Sequence, residues 1–229
     1  DQLLYDICDS KGMLVWIDSP LCQSPFLSDI AYYSSRSFES NGEQQLREII
    51  LQNIHHPSVA MWGIFSLLRG RSPELMAYVK SLNALAKSLD SSRPTVACSD
   101  QDGDINFITD LIVWQQNVGW NKGDVADLDL WQSALRSSWS HLRQGVCYGA
   151  GGTKGHHSED LVSRSSSQHR IPESWQTRFH EGYVGHIDNT LFWGVWLNTM
   201  FDFGAVRHPG GIRNSGLVCF DHNKAKDGY

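Results

Sequence analysis

Charge is scarce in this chain. Only 19% of its 229 residues are Asp, Glu, Lys or Arg, while 41% are hydrophobic, a balance that excludes a charge-solvated disordered chain and suits one large apolar core. Basic residues are outnumbered 19 to 25 and scattered, leaving a net charge of −6 and a pI near 5.9. The sequence therefore carries no electrostatic footprint for nucleic acid or an anionic membrane. Long apolar runs are absent too, none approaching the ~18 residues that span a bilayer. No leader pattern opens the chain, which starts as if inside a domain and leaves an upstream signal open. Five cysteines, Cys8, Cys22, Cys98, Cys147 and Cys219, are widely spaced with no Cys-x-x-Cys pair. That spacing argues against a disulfide framework and a structural zinc site and for mostly buried thiols. One disulfide among them would leave the same pattern, so the cysteines do not fix a compartment.

Short apolar runs alternate with longer amphipathic ones, the pattern of β-α units around a parallel sheet. The expected strands are Met13–Ile17, Val59–Ile64, Thr95–Cys98, Asp110–Trp114, Gly145–Tyr148 and Leu191–Trp196, each nearly all apolar as if covered on both faces. The expected helices are Gln2–Asp9, Glu43–Ile54, Pro73–Leu89, Leu128–His141 and Pro172–Ile187. Ser72-Pro73-Glu74 is a start signal, a hydroxyl cap followed by proline in the first turn. Ser163–Ser167 reads as a serine-rich loop, and Gly149–Gly155 as either a flexible lid or a plain strand exit.

The fifth strand ends in Val146-Cys147-Tyr148-Gly149-Ala150-Gly151. This run resembles the nucleophile motif of glycoside hydrolase family 2, the β-galactosidase and β-glucuronidase family, in which the strand reads Ser-Glu-Tyr-Gly-Ala-Gly. The resemblance extends in order through Leu4-Tyr5-Asp6-Ile7-Cys8-Asp9, Gly12-Met13-Leu14-Val15-Trp16, Leu46-Arg47-Glu48-Ile49-Ile50, His56-Pro57-Ser58-Val59 and Met61-Trp62-Gly63-Ile64-Phe65. It resumes at Thr109-Asp110-Leu111-Ile112, Gly119-Trp120, His180-Glu181, Met200-Phe201-Asp202-Phe203 and Gly216-Leu217-Val218. The fold it implies is α/β, a (β/α)₈ TIM barrel, which needs eight strands and about 250 residues. On this resemblance residues 1–229 are expected to supply one barrel domain made of the last six β/α units, without the first two strands and the β-sandwich domains that precede them in the family. Open barrel edges predict self-association or pairing with another chain.

The resemblance also implies a site, and the chain departs from it there. Retaining glycosidases use two carboxyl groups about 5 Å apart, one attacking the anomeric carbon and one serving as acid and then base. The family reads Asn-Glu after Trp-Gly-x-Phe, whereas this chain has Ser66-Leu67, so a leucine occupies the proton-donor position. Cys147 occupies the nucleophile position. Trp-x-Glu-Ile-Pro has become Trp16-Ile17-Asp18-Ser19-Pro20, Asn-x-Tyr has become Gln115-Gln116-Asn117, and Trp-Asn has become Asn198-Thr199. In the loop resembling Gly-x-Asn-x-Lys-Gly-Leu, which holds Asn214, Ser215 replaces the lysine. Neutral decay scatters, whereas these changes gather at strand ends, as expected of a site remodelled on a scaffold still constrained by packing.

The implied activity is a β-galactosidase-like glycoside hydrolase, impaired or inactive as written. The alternatives are a carbohydrate-binding or assembly module, and a barrel in which Cys147 is an activated thiol; an ordinary buried cysteine is the plain reading of that residue. Substrate-binding candidates are Asp18, Ser66, Asn117, Trp120, Tyr148, His180, Glu181, Trp193 and Asn198, with Trp196 and Asp202 as further contacts. Core packing competes for the tryptophans, since nine of them exceed what one site uses. His55-His56 and His156-His157 lack the i, i+4 spacing of a helical zinc site, so neither a metal nor a cofactor is expected. The expected partner is a carbohydrate, with its identity set by loops and upstream domains.

Overall fold

The computed structural model describes residues 2–22, 32–68, 70–120, 123–139, 143–153, 155, 171–188, 190–206 and 208–229. The serine-rich run at 163–167 and the pair His156-His157 lie outside the described residues. The fold divides into two compact units, Asp1–Trp114 with Leu142–Gln144, and Gln115–His141 with Gly145–Tyr229.

The first unit begins with helix α1 (Gln2–Lys11), strand β1 (Val15–Asp18), helix α2 (Arg36–Asn53) and strand β2 (Val59–Ser66). Helix α3 (Pro73–Leu89), strand β3 (Thr95–Ser99) and most of strand β4 (Leu111–Gln116) complete it. Register places Val15 beside Val59, Trp62 beside Thr95 and Val96 beside Leu111, all in parallel. As expected for strands covered on both faces, β3 is buried throughout and β2 nearly so. The edge strand β1 is not, and it starts two residues later than its apolar letters suggest. Met13 and Leu14 instead stand exposed before it.

Helix α3 has the bounds its start signal implies. Ser72 Oγ accepts the Leu75 amide at 3.2 Å and Pro73 fills the first turn, where its missing N–H costs nothing. Leu75, Tyr78, Val79, Leu82 and Ala86 form its buried stripe at the spacing of one helical face. Helix α2 starts seven residues before the expected Glu43, capped by Ser35 Oγ accepting from Phe38 N at 3.3 Å. Its first two turns are largely polar and show no apolar period to read.

Below β2 a buried polar network fixes the strand ends. Asp90 Oδ2 accepts from Trp62 Nε1 at 2.9 Å and from Arg93 Nη1 at 2.7 Å. Arg93 also donates to the carbonyls of Val59, Ile54 and His56. The Ser92 hydroxyl and amide donate to Asp90 Oδ1, and together with Arg93 and Trp62 they outweigh the effect of burial and hold the Asp90 carboxyl well below the usual carboxylate range.

The second unit holds helix α4 (Leu128–Ser138), most of strand β5 (Arg143–Tyr148), helix α5 (Glu173–His186) and strand β6 (Phe192–Leu197). A short antiparallel pair follows, β7 (Phe203–Gly204) with β8 (Ile212–Arg213). Its core is Leu128, Tyr148, Ala150, Phe179 and Tyr183. The Tyr148 and Tyr183 rings stack at 4.3 Å, and Tyr183 Oη donates to the Val118 carbonyl at 2.8 Å. Within the first unit the strands run in sequence order, β1-β2-β3-β4, each pair parallel, as successive β-α units require. The five cysteines are thiols, and among the described residues no helix is long and apolar enough to cross a membrane.

Candidate functional site

In the first unit the site positions lie on β1 and β2. Leu67 follows directly on β2, with its amide donating to the Cys98 carbonyl at 2.8 Å. Its φ is +53°, a left-handed backbone that residues other than glycine and asparagine adopt only at a cost. Ser66 is held from both sides, its amide bonded to the Leu21 carbonyl and its backbone in register with Cys98. Leu67, which the sequence reading expects at the acid/base position, is thus fixed in place and carries an alkyl side chain.

Asp18 lies opposite Gly63 in the β1–β2 register. A Cβ built on Gly63 would overlap Asp18 Oδ1 and come 2.5 Å from Trp16 Nε1, so only glycine lets the carboxyl and the indole lie against β2. One side of Asp18 stays open to solvent while the strands crowd the other. That crowding pushes the carboxyl up to about 6, against a smaller downward pull from the Trp16 indole.

In the second unit, Cys147 is half-buried near the end of β5 and precedes buried Tyr148. The strand exit is packed against its neighbours from Gly149 to Gly152. Asn198 N donates to the Tyr148 carbonyl at 2.8 Å, and the Asn198 carbonyl fills the space that a Cβ on Gly149 would need. Gln176 Nε2 donates to the Ala150 and Gly216 carbonyls at 2.9 and 3.0 Å. Lys226 Nζ donates to Gly152 O at 2.6 Å and to Asp202 Oδ1 at 2.7 Å, and Asp202 Oδ1 also accepts the Gly216 amide. Glycines recur in this loop because a side chain at 149 or 152 would overlap its neighbours.

The remaining candidates separate by burial. His180 faces inward between Tyr148 and Phe179, with ring centroids 5.7 Å away in both cases, whereas Glu181 faces solvent. Burial lowers His180 to about 4, so its imidazole is neutral at pH 7. Trp120 packs edge-on against Phe179 at 6.0 Å and belongs partly to the core. Trp193 stays 41% exposed and meets Trp196 edge-to-face at 4.9 Å. Asn198 is exposed, and Asn117 is half-buried with its amide on Gln116 Oε1. Asp202 is committed to Lys226 and the Gly216 amide instead of standing ready for a ligand. Sequence reasoning passes over Lys226 and Gln176, because a lysine near the end of a chain and a glutamine inside a helix look like surface residues.

One group of possible metal ligands exists among the described residues, Asp6, Asp9 and His56, whose ligand atoms lie within 4.8 Å of one another. Its bonding accounts for it structurally. His56 Nδ1 is 2.6 Å from Asp9 Oδ2, His56 Nε2 contacts Gln2, and Asp9 Oδ1 accepts the Ser58 amide.

The family described as "Glycosyl hydrolases family 2, TIM barrel domain" matches residues 1–227. A β-glucuronidase of Bacteroides fragilis is 37% identical over 232 residues, covering 99% of this chain and 33% of its own length. An FMN-binding β-glucuronidase from Facaelibacterium prausnitzii L2-6 superposes with a TM-score of 0.87 at 26% identity, over 100% of this chain and 36% of that one. A putative β-galactosidase from Bacteroides fragilis gives 0.85 at 26% identity, over 99% and 34%. This chain thus spans about a third of the length of these relatives. With nearly every residue matched by the family and the same arrangement of strands and helices, the chain belongs to the TIM-barrel domain of the family 2 glycosyl hydrolases.

Proposed function

We propose that this chain is the barrel portion of a family 2 glycosidase that still recognises carbohydrate and no longer hydrolyses it. The observation that carries the reading is Leu67, at the position where the family places its acid/base glutamate and on a backbone tied to Cys98. An alkyl side chain cannot protonate a leaving oxygen or activate water. Losing one acid/base group typically costs ~10²–10⁴ in rate. Here the native nucleophile is replaced as well, by the Cys147 thiol. The substrate class is proposed from the relatives, named β-glucuronidase and β-galactosidase, so a β-galactoside or β-glucuronide is the ligand expected. Within the second unit, Asn117, Asn198 and exposed Trp193 are the side chains best able to contact it.

Calorimetric titration with methyl β-galactoside and methyl β-glucuronide, beside an assay on the matching nitrophenyl sugars, tests this. Binding without turnover is expected, and turnover by the unmodified chain overturns the reading.

A second reading, assembly, is favoured by one observation. Leu3, Leu4 and Ile7 of α1, with Met13 and Leu14 before β1, are all exposed, and apolar residues gathered on a surface are the usual mark of an interaction face. Solution mass measured against concentration decides it: a rise supports self-association and a constant monomer mass ends it.

A further inference from the structure

We draw no further inference here: the strongest candidate, the buried side-chain cluster of Gln176 and His180 on α5 with Ser215 in the loop after β8, carries none, because its unpartnered polar atoms are packed so closely that not even a water molecule reaches them.

Discussion

Lys226 Nζ lies 2.7 Å from Asp202 Oδ1, with the two side chains only 0% and 5% exposed. A buried charge pair of this kind is held together by its surroundings, here the Gly152 carbonyl on the lysine and the Gly216 amide on the aspartate. Removing one partner leaves the other charge without compensation. Lys226→Met is therefore expected to cost about 3–5 kcal/mol of stability in urea unfolding. The same change paired with Asp202→Asn should cost less than the sum of the two single changes. Additive losses would mean that the pair is not coupled.

Leu67 should be a strained residue. Its φ of +53° suits asparagine or glycine, so Leu67→Asn is expected to raise unfolding stability by about 0.5–1 kcal/mol, as relief of the left-handed penalty offsets the lost apolar contact. A fall in stability would show that the alkyl packing matters more than the backbone.

Two glycines of the second unit should respond in opposite directions to alanine. At Gly149 a methyl group would overlap the Asn198 carbonyl, and the expected loss is about 2 kcal/mol or more. At Gly185, within α5, nothing lies within 4 Å, and alanine should gain about 0.5–1 kcal/mol from helix propensity alone. Thermal melts of the two variants check the contrast, and equal effects would contradict the packing described for the strand exit.

His180 gives the protein an acid-sensitive core. Burial depresses its folded value to about 4, below the ~6.5 of an unfolded histidine, so the unfolded chain binds the proton first. Its contribution is complete above about pH 6.5 and declines as pH falls toward 4, by roughly 2–3 kcal/mol in all. Asp18, with its value raised, acts in the opposite sense: its contribution is complete below about pH 4 and is lost as pH rises through about 6. The difference in stability between the unmodified chain and His180→Phe isolates the histidine. The stability of the unmodified chain minus that of His180→Phe should fall with falling pH across this window, and a constant difference would contradict a neutral buried imidazole.

Much of the fold is legible in the sequence because its signals are periodic. Ser72-Pro73 and the apolar spacing through Ala86 set the limits of α3, and nearly unbroken apolar runs mark β2 and β3. The start of α2 is not legible, because Arg36–Gly42 shows its helix only through the Ser35 cap. The site is legible as positions and less so as geometry. Leu67 and Cys147 stand out through motif resemblance, yet nothing in the letters announces a left-handed leucine. Asp202 reads as a free hydrogen-bonding group because its partner Lys226 is 24 residues away. The perturbed carboxyl at Asp18 depends on Gly63, a residue 45 positions further along the chain whose contribution is the side chain it lacks.

The proposed loss of hydrolysis is tested most directly by assaying the unmodified chain on nitrophenyl β-galactoside and β-glucuronide, beside Leu67→Glu combined with Cys147→Glu. The account predicts no turnover above background from the unmodified chain and at best partial activity from the double variant. Robust turnover by the chain as it stands would contradict it.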